Sequence, residues 1–90
     1  MPCVRIPAAL RDYTGGAAEM SVTGDTVGRA LDGLSAEFPQ LRRHLYTEHG
    51  QLRSYVNVFV NEDDVRALEG LKTAVGEEDT LMIVPSIAGG

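Results

Sequence analysis

The chain closes on two glycines, Gly89-Gly90, which follow Val84-Pro85-Ser86-Ile87-Ala88. Lacking a Cβ, they can pass a slot too narrow for other residues and adopt backbone angles closed to them. The reactive group at such an end is the α-carboxyl of Gly90. Its ordinary pKa of about 3.3 to 3.7 leaves it ionised at neutral pH, and a poor electrophile until something activates it. Residues 86–90 reach roughly 17 Å when extended, at about 3.3 to 3.6 Å each, far enough to enter a partner's pocket while a folded body stays outside. Proline has no amide hydrogen for a sheet ladder, so Pro85 predicts the end of the preceding apolar strand. The expected division is a folded domain over residues 1–84 and a flexible tail over 85–90.

The other chemistry-bearing residues point to no site of their own. Arg42-Arg43-His44 is a local basic cluster, short enough to read as a solvated face. His44 and His49 are five apart, which misses the i, i+4 pairing used for a metal on a helix, and no metal site is expected. Glu62-Asp63-Asp64 follows Asn61 and reads as an exposed turn rather than an acid–base pair. In Gly70-Leu71-Lys72-Thr73 glycine and lysine are not adjacent, so this is no phosphate loop, and any ATP chemistry belongs to another protein. Cys3 is the sole cysteine, with no histidine or basic cluster nearby in sequence to lower its pKa; packing is its expected role.

Ninety residues make one domain with a modest core. Eight basic against 13 acidic residues give a net charge of −5, which disfavours nucleic acid, since no basic stripe can displace counterions from phosphates. A basic protein partner fits that balance better. Without an apolar run of membrane-spanning length or a signal-peptide start, the chain is expected to be soluble and cytoplasmic, with no membrane partner.

Residues 3–7 and 19–22 alternate in polarity around the turn residues Tyr13-Thr14-Gly15-Gly16, predicting an opening β-hairpin. Val27, Ala30, Leu31, Leu34 and Phe38 then fall on one face of a helix, capped by Asp25 or Thr26 and stopped by Pro39. Gly28 and Gly33 would let that helix approach a sheet closely. Leu41 and Leu45 predict a short helical turn. Residues 54–61 form the strongest strand, with Val56, Val58 and Val60 on one face and Tyr55, Asn57 and Phe59 on the other. A short return strand is expected at residues 65–68, a helical turn near 71–75 and a last strand at 80–84. If Leu81 and Ile83 face the core, Met82 and Val84 join Phe59 on an open apolar patch, the kind that marks a partner site.

Strand, strand, helix and further strands in this order predict an α+β, ubiquitin-like β-grasp fold, a mixed sheet of four to five strands crossed by one main helix. The chain also resembles the small ubiquitin-like sulfur carriers of the MoaD, ThiS and CysO group, most closely the CysO type. The matching stretches are Val4-Arg5-Ile6-Pro7, Gly24-Asp25-Thr26-Val27-Gly28, residues 55–66, and Ile83-Val84-Pro85 with Ile87-Ala88-Gly89-Gly90. The resemblance implies a protein co-substrate, not an enzyme. An E1-like enzyme would use ATP and magnesium to adenylate Gly90, and a sulfur donor would displace AMP to leave a thiocarboxylate. An acceptor enzyme would then take the sulfur: cysteine synthase-like, thiosugar synthase, thiazole synthase or the molybdopterin synthase large subunit. A metalloprotease that trims or releases the C-terminus is a further implied partner. This chain would bind no cofactor itself. Phe59, Met82 and Val84 are the expected apolar contacts, with Pro85, Ile87, Ala88 and Gly89 guiding the end into the activator and Glu77 to Asp79 pairing with its arginines. The alternative is a modifier joined to lysines through Gly90.

Overall fold

In the computed structural model, which describes residues 1–85, the alternating stretches become five strands. These are β1 (Cys3–Arg5), β2 (Glu19–Ser21), β3 (Val56–Val60), β4 (Asp63–Asp64) and β5 (Thr80–Pro85). They form one mixed sheet in the order β2-β1-β5-β3-β4. β1 and β5 run parallel, with Val4 opposite Leu81 and Arg5 opposite Met82; the other three pairings are antiparallel. The first and last strands therefore lie side by side within the sheet, with β5 at its centre.

Helix α1 (Val27–Glu37) begins at Thr26, whose side chain accepts the Arg29 amide at 3.2 Å. Its Val27, Ala30, Leu31 and Leu34 are fully buried against the inner sheet residues Val4, Val56, Val58, Leu81 and Ile83. Each such side chain contributes about 1.5 to 3 kcal/mol by leaving water. The turn before α1 depends on Gly24, at φ +147°. A Cβ there would lie 2.6 Å from the Ala30 amide nitrogen, within helix backbone that cannot yield.

The opening hairpin forms, with β1 and β2 antiparallel and Gly15 and Gly16 at positive φ in the turn, and residues Ala8–Tyr13 between the strands wind into a 3₁₀ helix that buries Leu10. Pro39 ends α1 and also starts α2 (Pro39–Leu45), since its fixed φ and missing amide suit a first helical turn; Leu41 and Leu45 are buried beneath it. Residues 65–68 do not form a return strand. The ladder stops after Asp64, whose side chain accepts the Arg66 amide at 2.8 Å and turns the chain into a 3₁₀ helix at Val65–Ala67. Gly28 permits a close approach to Leu71, whose carbonyl oxygen would be 3.2 Å from a Cβ, and not to the sheet. The expected turn near residue 71 is a 3₁₀ helix at Gly70–Lys72.

Candidate functional site

Period-two alternation in the two central strands builds the site. Along β5, Leu81 and Ile83 point into the core, leaving Met82 half-buried and Val84 37% exposed on the outer face. The register places Phe59 directly opposite Met82 and Asn57 opposite Val84, so Phe59, Met82 and Val84 share one outer patch. Pro85 closes β5 opposite Val56, giving the strand one residue more than the expected domain boundary. Ile87, Ala88, Gly89 and Gly90 lie outside the described residues.

Beside the patch runs a groove of about 480 Å³, between Met82, Val84 and Pro85 on one side and Arg5, Pro7 and Arg11 on the other. Sequence reasoning missed this second wall. Arg5 reaches it through the parallel β1–β5 pairing, and Arg11 through the 3₁₀ helix, where its Nε donates to the Ile6 carbonyl at 3.1 Å. Local sequence carries no signal for either. Also missed is Arg66, whose guanidinium donates to the carbonyls of Arg53, Ser54 and Val56 and to the Asn57 side chain, tying down the start of β3 next to the end of β5.

The arrangement offers apolar contact and a strand end from which the chain continues. Among the described residues no group of three or more His, Cys, Asp or Glu side chains could hold a metal ion. Burial and the neighbouring Glu19 push the Cys3 thiol pKa up, away from the thiolate a nucleophile needs. His44 stacks on Tyr13 with ring centroids 4.2 Å apart, a packing role. No helix among the described residues is long and apolar enough to cross a membrane.

Comparison with known proteins agrees with this fold. The ThiS family profile matches residues 4–90. The chain is 39% identical over 89 residues to the sulfur carrier protein CysO of Mycobacterium tuberculosis, covering 97% of this chain and 96% of that one. Its fold superposes on a chain in the Amycolatopsis orientalis BexX/CysO complex with a TM-score of 0.91, at 37% identity and full coverage of both. It superposes on small archaeal modifier protein 1 of Methanosarcina acetivorans with a TM-score of 0.86, at 28% identity, covering 99% of this chain and 95% of that one.

Proposed function

This chain belongs to the ThiS family and is a sulfur carrier of the β-grasp fold, and on that premise we propose that it acts as a protein co-substrate through the carboxyl group of Gly90. An E1-like enzyme, using ATP and magnesium, joins that carboxylate to AMP and releases pyrophosphate. The acyl adenylate supplies the electrophilic carbon that a carboxylate lacks. Sulfide attacks it, AMP departs, and the resulting thiocarboxylate then yields its sulfur to an acceptor enzyme, with water hydrolysing the acyl–sulfur bond to restore the carboxylate. The carrier contributes no acid, base or metal to these steps. Phe59, Met82 and Val84 form its contact face, with Pro85 to Gly89 leading the reacting end into the partner. Because the chemistry draws on ATP, we place the protein in the cytoplasm.

The observation that carries this reading is that the family match spans residues 4–90, from within the first strand through Gly90. Several acceptor classes use the same group, among them cysteine, thiosugar, thiazole and molybdopterin synthesis; similarity to a CysO protein favours the first. A second reading follows from the likeness to a modifier protein. There the same adenylate would be attacked by a lysine amine instead of sulfide, forming an isopeptide bond.

One experiment separates the two. The chain is incubated with ATP, sulfide and an adenylating enzyme recovered by affinity capture on the carrier, and intact masses are read. Exchange of one oxygen for sulfur is expected. Carrier-sized additions to other proteins, without that exchange, would establish the modifier instead.

A further inference from the structure

The net charge of −5 is not spread evenly along the sheet. Glu77-Glu78-Asp79 precede β5 and Glu62-Asp63-Asp64 follow β3; the register Val60 opposite Leu81 brings both groups to the same end. β5 spans roughly 17 Å from Thr80 to Pro85 at about 3.3 Å per residue, so Glu62, Glu77, Glu78 and Asp79 sit about a full strand away from the Pro85 end, while Asp63 and Asp64 lie level with Leu81 and Met82. Asp79 is moreover already engaged. It accepts the Gly76 amide at 2.8 Å and the Asn61 side-chain amide at 3.2 Å, which together hold its pKa below the usual range. Any pairing of residues 77–79 with a partner's arginines, expected from the sequence, would therefore fall away from the Pro85 end.

The other end carries arginines. Arg53 lies three residues before Val56, the residue opposite Pro85, and its Nε donates to the Arg43 carbonyl at 2.7 Å. Arg66 is drawn back to the same strand start by its bonds to the Arg53, Ser54 and Val56 carbonyls. Across β5 stand Arg5 and Arg11. With Arg43 these make five cations, which share their end of the molecule with Asp12 beside Arg11, Glu19 opposite Arg5, and Glu48. Arg43 and Arg53 open into a groove of about 620 Å³ between α2 and residues 46–53, which Arg42, Tyr46, Glu48 and His49 also line. Arg42 is occupied, 3.7 Å from Asp32 and over the Tyr46 ring. The Arg43 guanidinium and the terminal nitrogens of Arg53 have no partner among the described residues. Basic residues in the last turn of α2 complement its C-terminal dipole, but that accounts for none of Arg5, Arg11, Arg53 or Arg66.

We propose that Arg43 and Arg53 dock against an acidic rim on the enzyme that receives Gly90, so the partner's surface is acidic where this end meets it, opposite to what the net charge suggests. The proposal rests on the carrier reading. Attraction at the arginine end and repulsion from the carboxylates toward the other end would turn the carrier with its reacting end forward before contact, an effect on association that salt weakens.

The test is ATP–pyrophosphate exchange with the adenylating enzyme captured above, varying the carrier concentration. Arg43→Glu combined with Arg53→Glu should raise KM for the carrier roughly tenfold or more with kcat retained, and salt should raise the KM of the wild type. Glu77→Lys combined with Glu78→Lys should leave KM unchanged or lower it. Because Arg53 also binds the end of α2, the single Arg43→Glu variant, which leaves that contact in place, should show the same direction. An unchanged KM in both arginine variants, or a KM raised by the lysine substitutions, overturns the proposal. Failure of the carrier reading itself looks different: the wild type gains no sulfur at all.

Discussion

Tyr46 is 4% exposed, and its hydroxyl is buried without a hydrogen-bond partner among the described residues. Burial, with the nearby Asp32 carboxylate adding to it and Arg42 opposing, pushes its pKa up to about 12 from 10.0. A raised phenol pKa means that the folded chain holds a proton which the unfolded chain has released between about pH 10 and 12. The associated stability is complete below pH 10 and is lost as pH rises through that window, by about 2 to 3 kcal/mol at one pKa unit per 1.36 kcal/mol. Tyr46→Phe removes both the titration and the unpaired hydroxyl. It should therefore flatten the alkaline limb of stability against pH and leave stability at pH 7 unchanged or slightly higher, since an unsatisfied buried group has no bond to lose. Urea unfolding of both proteins at pH 7 and pH 11 checks this; a variant markedly less stable at pH 7 would mean that the hydroxyl is bonded after all.

At the scale of the elements, β5 separates packing from contact residue by residue. Leu81 and Ile83 are sealed in the core while Met82 and Val84 face outward beside Phe59. Val84→Asp should therefore leave the thermal midpoint within a few degrees of the wild type, as surface substitutions usually fall within about 0.5 kcal/mol. In the exchange assay it should raise KM for the carrier roughly tenfold or more, because the new carboxylate would be desolvated against the partner without a mate. Unchanged KM would remove Val84 from the contact face. That face was legible in the sequence because strand alternation is local: a two-residue period fixes which side chains share a side once the strand is recognised. The α1 face at Val27, Ala30, Leu31 and Leu34 was legible for the same reason. The groove was not, since Arg5 and Val84 become neighbours through pairing between opposite ends of the chain. Nor was the turn after Asp64, where a side-chain to backbone bond displaces the strand that Val65 and Leu68 suggest.

For the whole molecule, the proposed reading gives the two sides of the strand end that leads to Gly90 different work. On that reading the apolar groove and patch supply contact area and the arginines around Arg53 supply orientation, while a core of fully buried side chains holds the strands in register with β5. The sheet then sets where the chain leaves at Pro85, so the reach to the partner's reacting centre depends on the length of chain from Pro85 to the reacting carboxyl. Adding one alanine beyond Gly90 moves the terminal carboxylate by about 3.3 to 3.6 Å and places a Cβ on the residue that bears it. Displacement of a reacting group by about 1 Å already costs on the order of a hundredfold in rate. The extended chain should therefore bind the adenylating enzyme through the same face yet show no gain of sulfur by intact mass, and proteolytic removal of the added residue should restore loading. If the uncut extension takes up sulfur at the rate of the native chain, neither the reach from Pro85 nor the absence of a Cβ on the terminal residue matters to the reaction.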